Sequence, residues 1–101
     1  MSEGDSDVTQ VTLSGPMTLY ESSVARETLL NALEDGKPLR IDLGHTGPWD
    51  LAGLQLLVSA VNTGLRSGVS VRLESVPGVC REIAGRSGLS RWLTDVAGSY
   101  E

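Results

Sequence analysis

Residues Leu39–Arg66, LRIDLGHTGPWDLAGLQLLVSAVNTGLR, change their hydrophobic period midway, and that change decides the fold. Leu39, Ile41 and Leu43 alternate with Arg40 and Asp42, the period of two that marks a half-buried strand. Gly44 to Pro48 carries turn residues without periodicity and reads as the loop that ends the strand. Asp50 reads as a helix N-cap, because a carboxylate there accepts the unpaired N–H groups of the first turn and faces the positive end of the helix dipole. From Leu51 onward, Leu54, Leu57, Val58, Val61 and Leu65 fall on one stripe of a 3.6-residue repeat, the face expected to pack on the sheet. Trp49 is placed to fold onto Leu54 as a hydrophobic staple. Ala52, Leu56, Ser59 and Thr63 occupy the opposite face, so Leu56 is expected to lie outside the core.

The flanks repeat the pattern of strand followed by helix. Val8 to Leu13 alternates as a strand and stops at Ser14, Gly15 and Pro16. A helix is expected to start near Glu21 to Ser23, where either serine can cap it. It would bury Val24, Ala25, Thr28, Leu29, Ala32 and Leu33 and end at Gly36. Beyond the central helix, which stops at Gly68, come a strand over Val69 to Leu73 and a helix opened by Ser75 and Pro77. That helix would turn Val79, Ile83 and Cys80 inward and end at Gly88, after which Ser90 caps a short last helix with Trp92, Leu93 and Val96. The order predicts a single α/β domain over residues 8–97, with right-handed crossovers placing the intervening helices on one face of a partly parallel sheet. Residues 1–7 read as a frayed acidic tail and 98–101 as a loose C-terminal one.

Composition narrows the function. A chain of 101 residues buries roughly two thirds of the surface its unfolded form exposes, enough for a modest core without metal or disulfide. That core is aliphatic, since there is no Phe and aromatic residues make up 4%. A net charge of −5 with scattered basic residues argues against nucleic acid as a partner. One cysteine and one histidine leave no disulfide and no metal cluster, so no cofactor is expected. The longest apolar run contains Gln55 and Ser59 and falls short of a membrane span, and Met1 to Asp7 lacks the features of a secretion signal, which together point to the cytoplasm.

The central stretch resembles the signature of STAS domains, the small bacterial modules typified by anti-sigma-factor antagonists. Their strand, loop and helix start read roughly D-L-S-x-V-x-x-I-D-S-S-G-L-x-L-L. Asp42, Leu43, Asp50, Gly53, Leu54, Leu56 and Leu57 stand at the matching places. The likeness extends to residues 13–33, LSGPMTLYESSVARETLLNAL, and 71–93, VRLESVPGVCREIAGRSGLSRWL. It implies an α/β fold with one layer of helices packed on one face of a small mixed, mostly parallel sheet. It also implies a binding module and not an enzyme, its partner an anti-sigma kinase-like protein. An accessory subunit on the ATPase of a lipid or organic-solvent ABC transporter, or a chemotaxis or two-component partner, is the alternative. The partner surface implied is the start of the central helix: Trp49, Asp50, Leu51, Ala52, Gly53, Gln55, Leu56 and Ser59.

One departure changes the expected mechanism. In the phospho-switched members the residue before the glycine is a hydroxyl that receives phosphate, and here that position is Ala52, preceded by Leu51. Neither side chain has an oxygen, so the usual switch is absent and the surface is small and apolar. The remaining chemical candidates have plainer readings. His45 lies in a polar stretch with no nucleophile or acid/base partner near it in sequence. Asp42 and Asp50 are explained by strand alternation and capping, and the Gly85 to Gly88 segment matches no phosphate-binding motif. Cys80 reads as a buried thiol.

Overall fold

A computed structural model describes residues 7–97, so all but Asp7 of the expected tails lies outside the described residues. The elements are β1 (Thr9–Met17), α1 (Ser23–Leu33), β2 (Leu39–Trp49), α2 (Leu51–Arg66), β3 (Val71–Glu74), α3 (Gly78–Arg86) and α4 (Ser90–Ala97). The strands lie in the order β1-β2-β3 and pair in parallel throughout, with Val11 opposite Ile41 and Ile41 opposite Leu73. Leu13, Leu39, Ile41, Leu43, Val71 and Leu73 point into the core. Gln10, Thr12, Arg40 and Arg72 point to the other, solvent-exposed face. There the Gln10 Nε2 lies 3.4 Å from Glu74 Oε1, and Arg40 Nε lies 3.8 Å from Glu74 Oε2. One apolar face means one layer of helices, and α1 contacts α2, which contacts α3, which contacts α4.

The strands run further than the alternation indicated. β2 does not end at Leu43: it continues to Trp49, paired with β1 through Ser14 to His45, Gly15 to Thr46 and Met17 to Trp49. Register shifts between Thr12 and Ser14 and between Gly15 and Met17 break the period of two. The glycines that looked like turn signals therefore serve irregular pairing, with Gly15 at φ 83° and Gly47 at φ 143°, and the Gly47–Pro48 peptide is cis. β3 starts later than expected, at Val71, and runs to Glu74. Val69, expected within it, is buried before the strand begins and donates its N–H to the Gly64 carbonyl at 2.7 Å.

Helices α1, α2 and α3 leave outside some of the large apolar residues their sequences suggest for the core. α2 buries Gly53, Leu54, Leu57, Ala60, Val61 and Gly64, leaving Val58 half-buried and Leu65 67% exposed. The small residues decide this. A Cβ on Gly53 would run into the Met17 carbonyl, and one on Gly64 would come within 2.8 Å of Val71 Cγ2 and 2.9 Å of the Val69 carbonyl oxygen. Glycine lets the helix backbone press against the sheet, so that side becomes the inner face. α1 buries Ala25, Leu29, Ala32 and Leu33 but leaves Val24 73% exposed. Its N-cap is Ser22, whose side chain makes no capping bond. α3 buries Cys80 and Ala84, with Ile83 packed partly against the core and Val79 exposed. In α4, Leu93 is buried, Trp92 and Val96 pack partly against the core, and Ser90 is the first helical residue and not the cap.

Two outcomes test this packing. Gly53→Ala should destabilise the fold by about 1–3 kcal/mol through overpacking. Gly85→Ala, whose new Cβ would meet only Ser90 Oγ at 3.6 Å, should be neutral or slightly stabilising. Equal urea midpoints for the two variants would refute the close approach at Met17. The second concerns Cys80, whose thiol burial pushes from 9.0 up to about 11 against the opposing pull of Arg81. Because the folded state holds this proton to higher pH than the unfolded chain, the stabilisation is complete below pH 9 and is lost as pH rises toward 11. Wild-type stability should therefore fall faster than that of Cys80→Ala over this interval, and parallel pH profiles would contradict it.

Candidate protein-binding site

The start of α2 is fixed by Asp50. Its Oδ1 accepts the Gly53 N–H at 3.2 Å, as the sequence indicates for an N-cap. Its Oδ2 accepts the Leu19 N–H at 3.0 Å, and its own N–H donates to the Met17 carbonyl at 3.2 Å. The loop between β1 and α1 is thereby tied to the first turn of α2. Beside this junction, α1 and α2 enclose a groove of about 400 Å³.

The expected site residues separate into three groups. Ala52, Gln55, Leu56 and Ser59 line the groove. Asp50 and Leu51 stand at the helix start, with Leu51 42% exposed. Trp49 and Gly53 are both buried, the Trp49 side chain at 7% exposure and Gly53 with no side chain at all. Trp49 belongs to the core with Leu54, and its indole N–H donates to Thr46 Oγ1 at 3.0 Å, while the Thr46 hydroxyl donates to the Leu43 carbonyl at 2.7 Å. Leu56, expected outside the core, is a correction: it is half-buried and packs against the core while still lining the groove. Leu56→Asp would disturb fold and site together.

The other wall comes from residues outside the expected site. Leu19, Arg26, Leu29 and Leu30 line the groove from the α1 side. Tyr20, next to Leu19, is 89% exposed. The signal available was the Leu19–Tyr20 pair, two large apolar side chains outside any strand or helix period. Elsewhere, Asp42 Oδ1 accepts the Gly44 N–H at 2.9 Å, and His45 is exposed. Gly88 follows α3 at φ 75°, as a helix stop requires. Among the described residues no group of three His, Cys, Asp or Glu side chains is placed to hold a metal ion. No described helix is long and apolar enough to cross a membrane.

This arrangement has known counterparts. A family profile described as "Mlab, STAS domain" matches residues 1–95. The anti-sigma-B factor antagonist of Bacillus subtilis (strain 168) is 31% identical over 74 residues, which cover 73% of this chain and 67% of that protein. The chain belongs to the STAS family. In fold it resembles the sulfate transporter family protein from Wolinella succinogenes, with a TM-score of 0.68 and 16% identity over 88% of this chain and 73% of that one.

Removing the Asp50 carboxylate tests the junction. Asp50→Ala should cost about 0.5–2 kcal/mol, the usual range for a lost N-cap, and Asp50→Asn less. Amide exchange at Leu19 should accelerate in Asp50→Ala, and unchanged exchange there would show that the carboxylate does not hold the loop.

Proposed function

We propose that this protein is a regulatory binding module of the anti-sigma-factor antagonist kind, acting in the cytoplasm, which engages another protein through the start of α2. The observation that carries the reading is an exposed Leu51 and an oxygen-free Ala52 beside a groove between two helices. Interfaces form where apolar side chains can be desolvated around a recess. Similarity to the anti-sigma-B factor antagonist of Bacillus subtilis supports an anti-sigma protein as the partner, of the kinase-like kind that the family resemblance implies. The mechanism is occupancy: the module sequesters its partner and so frees whatever that partner holds. Ala52 stands where phospho-switched members carry the hydroxyl, so phosphate at this position does not turn the binding off. The groove side chains named above supply apolar contacts, amide and hydroxyl hydrogen bonds and one guanidinium, a set suited to binding rather than bond-breaking chemistry.

The test is an affinity capture from the native cytoplasm with wild type, Ala52→Glu and Leu51→Asp, read by mass spectrometry. An anti-sigma kinase recovered by wild type and depleted at least tenfold in both variants is expected. Recovery of an ABC-transporter ATPase would replace the partner, and a partner indifferent to both substitutions would remove the helix start as the working surface.

A further inference from the structure

We infer that the groove between α1 and α2 receives an amphipathic helix of the partner protein whose apolar stripe is flanked by a carboxylate, seated so that this carboxylate meets Arg26. The inference rests on the proposed reading of the α2 start as a partner surface and adds what the partner must present there. The groove has an apolar floor, with Leu29, Leu56 and Ala60 among its lining, and a recess of about 400 Å³ between two helices suits the side chains of a third.

The apolar surface does not stop at the groove. Tyr20 and Leu51 are exposed without lining it, while Leu19 and Leu30 are exposed at its walls. A small molecule that filled the recess would leave Tyr20 and Leu51 in water. A helix, about 10–12 Å across with its side chains, presents a broader apolar face than a small molecule to the recess and to Tyr20 and Leu51, which neighbour the lining residues Leu19 and Ala52 in sequence. That extent favours a protein segment over a small ligand.

Charge selects the segment. Arg26 is the single charged side chain among the residues lining the groove. It makes no ion pair among the described residues, where the pairs are Arg40 with Glu74 and Arg86 with Glu82. In a chain of net charge −5, this cation is placed among apolar lining residues, with the exposed Leu19 and Leu30 in the same groove. Covering Arg26 with a purely apolar helix would desolvate the guanidinium without compensation, whereas a carboxylate beside the stripe restores a charged hydrogen-bond partner and fixes the register of docking.

Three synthetic helical peptides provide the test, each with leucines along one face and differing at a single flanking position that holds glutamate, glutamine or lysine. They are titrated onto the full chain by fluorescence anisotropy, with amide shifts locating the contact. The glutamate peptide should bind about fivefold more tightly than the glutamine one, the lysine peptide most weakly, with shifts at Leu30, Ala52 and Ser59. Arg26→Glu, a change at an exposed side chain that makes no bond in the fold, should invert the order. Equal affinities, shifts elsewhere, no saturable binding, saturation by dodecanoate where the peptides fail, or self-association that blocks the groove would each overturn the inference. A cellular partner lost with Leu51→Asp but bound with unchanged affinity by Arg26→Glu would also overturn it while leaving the α2 start as the partner surface. Peptides that bind in the expected order, beside a cellular partner weakened by Arg26→Glu but indifferent to Leu51→Asp, would support the groove and remove Leu51 from the working surface, whereas a partner indifferent to both Arg26→Glu and Ala52→Glu would overturn the inference.

Discussion

The junction at Asp50 is the constraint on which the site depends. One carboxylate oxygen caps α2 at Gly53, the other holds Leu19, and the backbone N–H binds the Met17 carbonyl. That same carbonyl is what a Cβ on Gly53 would strike. The ends of β1 and β2, the β1–α1 loop and the first turn of α2 are thus joined in a few hydrogen bonds that tolerate no side chain at Gly53. Because Asp50 holds the Leu19 N–H, the start of α2 is tied to the β1–α1 loop, whose Leu19 lines the groove. A capping interaction that would be local in an isolated helix here sets the distance between two surfaces far apart in sequence.

Much of the fold was legible, and the errors share a cause. Strand alternation in Leu39–Leu43 and the Asp50 cap place β2 and α2 correctly because those signals are local. The bulged half of β2 was illegible as strand: its register depends on β1, and pairing with shifts leaves Gly44–Pro48 without any period. Helix faces were misread where glycine and alanine were ignored. Leu65 and Val24 are large and apolar but lie on the outside, while Gly53, Ala60 and Gly64 lie within. Hydrophobicity locates what gains from burial, whereas close backbone approach is set by what lacks a side chain.

The site was half legible for a related reason. Ala52, Gln55, Leu56 and Ser59 follow from one helical face and the family resemblance, and the structure lines them along one wall. The opposing wall, with Leu19, Arg26 and Leu30, depends on how α1 docks against α2, which no local pattern encodes. Trp49 shows the converse. An aromatic residue just outside a helix start reads equally well as surface anchor or packing unit, and the bond from its indole N–H to Thr46 settles it as a buried one.

Losing the hydroxyl at the helix start has a thermodynamic consequence for the proposed mechanism. A phosphate there would add about −1.5 to −2 charges beside Leu51 and the groove, enough to separate bound from unbound states by repulsion and desolvation. Ala52 offers no such second state at this position, so in the proposed mechanism phosphate there does not shift binding, and the bound fraction depends on the amounts of the two proteins and on their intrinsic affinity. Specificity in that mechanism resides in the contact itself. A shallow apolar groove is a weak discriminator among apolar helices, since removing one methylene changes binding by only about 0.8 kcal/mol. A single unpaired guanidinium in its lining discriminates through the cost of leaving a charge desolvated, which penalises every partner lacking an acid at one place. Arg26 thus gives the groove a rejection criterion that its leucines cannot provide.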